Sequence, residues 1–305
     1  GRTLGRMRAA ELVTADGRML RLAADEHPEL FWAVRGAGAN IGIVTAFEFE
    51  AGTTPIVARA SVMYDVARPA PFLEQWGAAV EAAPREVSAF LYVGGGARPF
   101  AQATIVYAGD EAASAARALE PFVELPGVVG QRAELVPYPT VPLTSGAPHA
   151  GQQSAVMHGG LAGHIDRDLA QRLEVLLRSP GVDMVQMRSA GGAINDVPTD
   201  ATAYAHRHQN FSVTAVAARP SPSFDVVWAP VRPRMDGIYL SFESRHQPED
   251  VAAAFPPKTL ERLRRIKADW DPDDVFSQNF DVSARTSADS KGGALVSKHD
   301  VSVTG

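Results

Sequence analysis

The chain contains one glycine-rich run that could bind a ligand through its backbone, Arg35-Gly36-Ala37-Gly38-Ala39-Asn40-Ile41-Gly42. Residues with little side chain let a bulky anion approach, and consecutive backbone amides can bind pyrophosphate oxygens. A nicotinamide-type dinucleotide site needs a strand before such glycines and a helix after them. Here a predicted helix precedes the run and a predicted strand follows it, which disfavours that site. The spacing alone favours a glycine helix cap and a tight connection.

A pair of histidines forms the second candidate site. His206 and His208 have the spacing of two metal ligands on one face of a strand. Catalytic zinc usually has three protein ligands, and the sequence shows no evident third one. We therefore expect no metal, and an unrelated metal-dependent enzyme is an alternative that rests on this pair alone.

Composition limits the classes of partner. The chain has 305 residues, with 29 Lys and Arg against 35 Asp and Glu, and a formal net charge of −6. This mildly acidic balance argues against nucleic acid or an acidic membrane as the main partner, so we expect a small-molecule partner. No stretch approaches the roughly 20 apolar residues of a membrane span. The absence of cysteine excludes disulfides and thiol chemistry and fits a cytoplasmic location, which we predict.

The first 55 residues predict a small unit of two strands, a helix and a third strand. Alternation around Asp16-Gly17 predicts a hairpin with a two-residue type I′ turn. A helix is predicted from Asp25 and Pro28 to a glycine cap at Gly36. The segment Ile41 to Glu50 predicts a strand that is partly alternating and partly buried on both faces.

From Val57 the pattern changes to separated strands and amphipathic helices, which indicates a second domain. Strands are predicted over 58–64, 87–93, 101–107, 182–187, 211–217 and, near the end, 238–242. Five prolines and four glycines between Leu125 and Gln153 predict a lid or long surface loop. The segment from Ser283 to Gly305 has almost no large apolar residues and predicts a disordered tail.

Four segments in order along the chain resemble one known family. They are Glu11–Arg18, Asp25–Thr45 (DEHPELFWAVRGAGANIGIVT), Gly191–Ile194 with Ala203–Arg207, and Asp271–Asn279 (DPDDVFSQN). Together they resemble FAD-linked oxidoreductases of the berberine bridge enzyme and 6-hydroxynicotine oxidase type, within the vanillyl alcohol oxidase superfamily. The chain begins with Gly1, and the upstream half of that family's flavin domain has no counterpart here, so we expect a part of a longer protein.

The resemblance implies an α+β fold, in which a partial FAD-binding domain is interrupted by a substrate domain with an antiparallel sheet flanked by helices. Residues 1–55 and 236–282 would form the FAD-binding part, and residues 56–235 the substrate domain. The cofactor implied is FAD. The reaction implied is hydride removal from a substrate C–H beside a hydroxyl or amine, with dioxygen as acceptor. The substrate implied is a sugar, an alkaloid or another secondary metabolite.

The resemblance also implies a set of site residues. The catalytic candidate is Tyr239, because no acid occurs near Thr214 to serve as general base. A tyrosine whose hydroxyl lies at the domain surface is the alternative for Tyr239. A second alternative, for the whole chain, is a non-catalytic remnant or binding module that cannot hold flavin alone. The residues implied to contact FAD are Gly38, Asn40, Gly42, Ile43, Val44 and Asn279.

Overall fold

A computed structural model describes residues 3–52, 54–141, 155–245, 247–278 and 280–283. The first part contains β1 (Met7–Val13), β2 (Met19–Ala23), α1 (Pro28–Ala37) and β3 (Ile43–Phe49). The middle contains β4 (Ile56–Asp65), α2 (Pro69–Ala82), β5 (Val87–Gly94), β6 (Phe100–Tyr107), α3 (Ala112–Val123), β7 (Val128–Pro137), β8 (Val156–Ala162), α4 (Arg167–Arg178), β9 (Met184–Ser189), β10 (Phe211–Ala217) and α5 (Pro222–Trp228). The last part contains α6 (Pro248–Ala254) and α7 (Pro257–Trp270). Antiparallel sheets combined with helices confirm the predicted α+β class.

The first sheet has three strands in the order β2-β1-β3. The predicted hairpin between β1 and β2 is confirmed, but the type I′ turn is wrong. Thr14 N donates to Arg18 O at 3.0 Å, Gly17 N donates to Thr14 O at 3.0 Å, and Gly17 has φ +82°. Asp16 has a negative φ, and a type I′ turn would need a positive φ at both central residues. The loop is therefore an ordinary turn followed by a left-handed glycine.

Strand β3 lies at an edge of this sheet, and its large side chains are exposed. Ile43 is 58% exposed, Phe47 53% and Phe49 42%, so the prediction that this strand is partly buried on both faces is wrong. The apolar residues indicated burial, but β3 has a neighbouring strand on one side within this sheet, where it pairs with β1. Its apolar face is therefore available to another surface.

The second sheet has seven strands, in the order β7-β4-β6-β5-β9-β10-β8, and each neighbouring pair is antiparallel. Strand β5 shows how the two faces differ, because side chains alternate along a strand. Ala89, Leu91 and Val93 are buried in the core that the helices cover. Ser88 and Phe90 point to the opposite face, which is partly open.

Helices α2 to α5 cover the buried face of this sheet. Trp76 packs against Phe122 at 5.2 Å and Tyr64 at 6.5 Å between ring centroids. Helix α4 begins at Asp166, whose carboxylate accepts from Leu169 N at 2.9 Å and satisfies an otherwise unpaired amide. This large core holds the middle of the chain together.

Two stretches predicted from sequence differ in the structure. Strand β7 lies inside the predicted loop Leu125–Gln153, because the prolines fall at its ends and the intervening backbone pairs with β4. The remainder of that loop over 142–153, and the predicted tail over 284–305, lie outside the described residues. The predicted strand at 238–242 is wrong, since Leu240–Phe242 form a 3₁₀ turn in which Phe242 N donates to Tyr239 O.

A smaller core unites the two ends of the chain. The first sheet and α1 pack with α6 and α7, and Phe280 and Val282 are buried among them. Arg262 donates to both carboxylate oxygens of Glu29, 233 residues away in sequence, at 2.5 and 2.9 Å. The domain boundaries at 55/56 and 235/236 stay a prediction. No helix within the described ranges combines the length and apolar character of a membrane span.

A buried ion pair organises the chain after α7. Lys267 Nζ lies 2.6 Å from Asp271 Oδ2 and 2.9 Å from Asp274 Oδ1, and Lys267 and Asp271 are 3% and 2% exposed. Asp271 also accepts from the amides of Val275 and Phe276. Burial raises the pKa of Asp271, but the Lys267 hydrogen bond and these amides outweigh it, and the pKa lies below its ordinary value. The turn that follows α7 therefore depends on this pair.

We expect Lys267→Met to lower the free energy of unfolding by about 3–5 kcal/mol, because it leaves a buried carboxylate without its cation. Lys258→Met, on the exposed start of the same helix, is the matched control and should change little. Urea denaturation followed by tryptophan fluorescence measures both. Equal midpoints for the two variants would contradict the role assigned to the pair.

The same pair predicts a pH dependence. A carboxyl whose folded pKa is lowered stabilises the fold above the ordinary value of 3.8, and that contribution is lost as pH falls through the folded value. The stability difference between the wild type and Asp271→Asn should therefore be constant between about pH 5 and 7 and shrink below about pH 4. Denaturation at several pH values tests this, and a difference that grows on acidification would refute it.

Candidate functional site

A groove of about 980 Å³ lies where the first sheet meets the open face of the seven-stranded sheet. One wall comes from the first part of the chain and is largely apolar, with Val34, Phe47 and Phe49. The opposite wall includes Phe90 and Arg188 from β5 and β9. Aromatic and polar groups complete the lining: Tyr204, Tyr239, Phe242, Ser88, Ser212, Ser241 and the loop 189–194.

The groove exists because the end of α1 touches the segment at 203–204 backbone to backbone. A Cβ atom on Gly36 would lie 2.4 Å from Tyr204 N and 2.8 Å from Ala203 C, and Gly36 has φ +147°. Ala203 N donates to Trp32 O at 3.2 Å and Tyr204 N donates to Arg35 O at 3.1 Å. Glycine is thus required at position 36 by both the close approach and the backbone angle.

Side chains of α1 reinforce the same contact. Trp32 Nε1 donates to Asp200 O at 2.7 Å, and Arg35 Nη2 donates to Ala201 O at 3.3 Å. The Arg35 guanidinium lies 4.2 Å from the Phe31 ring centroid, and its burial lowers the pKa of Arg35. Arg35 therefore serves this protein contact.

Two of the predicted cofactor-binding glycines occupy different environments. Gly38 lines the groove, and a Cβ there would lie 3.1 Å from Val34 Cγ2. Gly42 is buried, and its Cβ would lie 2.7 Å from both Leu12 Cγ and Val13 O. Glycine at position 42 is thus explained by its packing against β1, so a larger residue there would disturb the sheet whether or not a ligand binds.

Asn40 is also engaged by the protein. Its side chain is buried, Oδ1 accepts from Val282 N at 3.3 Å and Nδ2 donates to Ala37 O at 3.5 Å. The asparagine joins the end of α1 to the C-terminal segment. Its predicted role in cofactor binding stays a prediction.

The other predicted cofactor contacts are dispersed. Ile43 is exposed at the start of β3, whereas Val44 packs partly into the small core. Asn279 lies outside the described residues. Of the predicted cofactor-binding residues that the structure describes, Gly38 is the one that lines the groove. The roles of these residues in binding FAD stay a prediction.

Tyr239 lies in the groove and is partly buried. Its ring is edge-on to Tyr204 at 6.0 Å and contacts Phe242 at 5.5 Å, measured between centroids. It begins the 3₁₀ turn Leu240–Phe242, which directs the chain across the seven-stranded sheet. The phenol predicted as the catalytic candidate thus lies beside the glycine contact of α1, and sequence reasoning did not anticipate its pairing with Tyr204.

A buried histidine positions this turn. His158 Nδ1 lies 3.0 Å from Glu243 Oε1, and its Nε2 lies 2.8 Å from Asp225 Oδ1. Burial raises the pKa of Glu243, but hydrogen bonds from His158 and from the amides of Arg245 and Gly159 outweigh it, so the pKa is lowered. The ionised Glu243 fixes the end of the turn to β8. No local sequence pattern indicates this pair, because its members are far apart along the chain.

The histidine pair does not form a strand face. His206 is buried, and its Nε2 lies 3.1 and 3.0 Å from the carbonyl oxygens of Ala253 and Ala254, which joins it to α6. His208 is exposed. The predicted strand geometry is wrong, since residues 204–208 are irregular in the structure.

Comparison with known proteins agrees with this architecture. The model of the Berberine and berberine like family matches residues 239–281. FAD-linked oxidoreductase anuG of Penicillium roqueforti is 26% identical over 307 residues, covering 87% of this chain and 59% of that protein. (R)-6-hydroxynicotine oxidase of Paenarthrobacter nicotinovorans is 58% identical over 41 residues, covering 13% and 9%. The solved chitooligosaccharide oxidase has a TM-score of 0.77 at 21% identity, covering 93% of this chain and 67% of that one.

The chain is thus similar in sequence to FAD-linked oxidoreductases, and it has the fold of solved oxidases such as chitooligosaccharide oxidase. These matches support the resemblance to the berberine bridge enzyme-like family that the sequence analysis predicted. The chain spans 59% of the length of the curated relative that it matches over most of its own length.

We expect Gly36→Ala to lower the free energy of unfolding by at least about 2 kcal/mol, because the new Cβ meets backbone atoms that cannot move aside and the residue must keep a strained angle. Gly130→Ala is the control, since its Cβ would have nothing within 4 Å. Chemical denaturation followed by tryptophan fluorescence reports on the contact through Trp32. Similar stabilities for the two variants would show that the α1 contact is not needed.

Proposed function

We propose that the protein oxidises a small molecule with bound FAD, and that the groove between the two sheets is the reaction site. The observation that supports this most directly is the meeting, in one groove, of the end of α1, an apolar wall and the phenol of Tyr239. An apolar cleft with a few polar groups is the usual form of a cofactor and substrate site. On that basis we propose that this chain uses FAD, the cofactor of the related oxidoreductases.

The residues present fit one part of FAD better than the other. Val34, Phe47 and Phe49 give an apolar surface on which the flat isoalloxazine ring could lie. The pyrophosphate needs free backbone amides or cations, yet Gly36 and Gly42 are packed against protein atoms. The described part of this chain would therefore hold the isoalloxazine ring. Residues outside this part would hold the phosphates.

When bound, the flavin would accept a hydride from a substrate C–H beside a hydroxyl or amine, with dioxygen as the final acceptor. The chain's own contribution is to position the substrate and to move its proton. Tyr239 Oη is the group that we assign to the substrate hydroxyl or amine proton. Phe242 and Phe90 would exclude water from the same part of the groove.

The substrate class is proposed from the resemblance to related enzymes. Relatives are named for 6-hydroxynicotine and for chitooligosaccharides, an alkaloid-type and a sugar substrate respectively. For this chain we propose a sugar, an alkaloid or another secondary metabolite. The cytoplasmic location predicted from the lack of cysteine stays a prediction.

One observation favours a second function. Gly42 and Asn40 are both satisfied by protein atoms, so the glycine-rich run has a structural explanation without any ligand. The alternative is a non-catalytic module that keeps this fold and does not hold flavin alone. Flavin content separates the two functions.

We expect the full-length protein to retain FAD through gel filtration, seen as visible flavin absorbance, and Phe47→Asp to lose most of it by placing a charge on the apolar wall. Val175→Asp is the matched control, because both side chains are exposed, at 53% and 67%, and Val175 lies on α4 away from the groove. A full-length protein that never acquires flavin absorbance would exclude the oxidoreductase proposal and favour the binding module.

We expect Tyr239→Phe to lower kcat by about 100-fold or more at unchanged flavin content, because proton transfer by a positioned side chain contributes this much. Tyr138→Phe, which removes a hydroxyl from an exposed tyrosine outside the groove lining, should leave kcat unchanged. Stopped-flow reduction of the flavin by substrate measures the step directly. Wild-type rates in Tyr239→Phe would remove Tyr239 from the mechanism.

A further inference from the structure

Arg188 stands on the groove wall formed by the open face of the seven-stranded sheet. Through the strand register it lies between Phe90 of β5 and Ser212 of β10. Its neighbours Val185 and Met187 are buried in the large core, so alternation directs Arg188 to the groove. It is partly buried, and the sequence pattern alone did not distinguish it from a solvated strand residue.

The other charged residues of the groove lining have polar side-chain partners. Glu81 Oε2 lies 2.8 Å from His164 Nδ1, and Arg85 Nη2 lies 2.5 Å from Asp196 Oδ2. For Arg188, no carboxylate in the described ranges lies within 4.0 Å of the guanidinium nitrogens. The groove therefore carries one cation whose charge the described protein does not neutralise.

The immediate neighbours of Arg188 are neutral. With its amide oriented to satisfy both groups, Gln186 accepts hydrogen bonds from Arg188 Nε and, at 2.8 Å, from Arg188 Nη2, which leaves the Nη1 and Nη2 end of the guanidinium for a ligand. The guanidinium carbon lies 4.4 Å from the Phe242 ring centroid and 5.8 Å from that of Phe90. These contacts orient the planar group and shield it from water, which increases the gain from an arriving anion.

We propose that Arg188 binds a carboxylate on the substrate, and that a flat apolar part of the same molecule packs against Phe242. A guanidinium matches a carboxylate through two parallel hydrogen bonds, and an adjacent ring surface suits an unsaturated or aromatic group. This inference rests on the proposed function and deepens it, since it selects an aromatic or similarly planar carboxylic acid among secondary metabolites. A neutral sugar would leave the cation without a counter-charge.

The test uses 2-naphthoate and 2-naphthamide, which share a ring system and differ in charge. Isothermal titration calorimetry on the chain without flavin should show naphthoate binding at least about tenfold more tightly than the amide, because a charge-assisted hydrogen bond supplies this difference. Arg188→Gln should abolish the preference, and Arg188→Lys should keep a reduced one. Arg85→Gln, which removes a paired cation at the rim, should leave the preference intact. Circular dichroism of each variant checks the fold.

Three results of the titration would overturn the assignment. They are equal affinities of the wild-type chain for the two probes, a preference that survives in Arg188→Gln, and no naphthoate binding up to millimolar concentration. Flavin retention by the full-length Arg188→Gln variant is measured in parallel and should match the wild type. Loss of flavin from that variant would show that Arg188 binds the cofactor and would also overturn the assignment. The titration contains no flavin. The naphthoate result can therefore be interpreted even if the protein does not bind FAD.

Discussion

The contact between the backbone at Gly36 and the backbone at Ala203 and Tyr204 determines where the groove lies. No side chain separates the two segments at this point, because a Cβ atom would overlap Tyr204 N. The first sheet is thereby held against the segment that leads into β10, and Tyr204 is placed opposite Tyr239. The position of the phenol in the groove is thus a consequence of one residue without a side chain.

Irregular segments near the end of the chain are held by buried charges. Asp250 accepts from Arg245 and Arg232 at 2.7 and 2.5 Å, and its burial raises the pKa despite these two cations. The pairs of His158 with Glu243 and of Lys267 with Asp271 act in the same region. A segment with few strand hydrogen bonds gains its unique path from such groups, since each costs free energy when its partner is lost.

Five of the seven strands of the large sheet were predicted from the sequence, because one face of each is buried and the alternation is clear, whereas β7 and β8 were missed. The sequence also predicted that other atoms approach the backbone of the glycine-rich run closely. It did not show whether those atoms belong to a ligand or to the protein. At Gly36 and Gly42 the neighbour is the protein itself, which no local pattern reveals. Arg188 was missed for a related reason, since a charged residue on an open sheet face has the same pattern as one in water. The 3₁₀ turn after Tyr239 depends on Glu243 and His158, which are distant in sequence.

The small core is built from both ends of the chain, with Glu29 joined to Arg262, 233 residues away in sequence. During synthesis on the ribosome the seven-stranded sheet, complete by Ala217, emerges before α7 exists to cover α1. The apolar faces of the hairpin and of α1 therefore stay exposed while the middle of the chain folds. Until α7 has been made, these apolar faces are open to aggregation and to binding by chaperones.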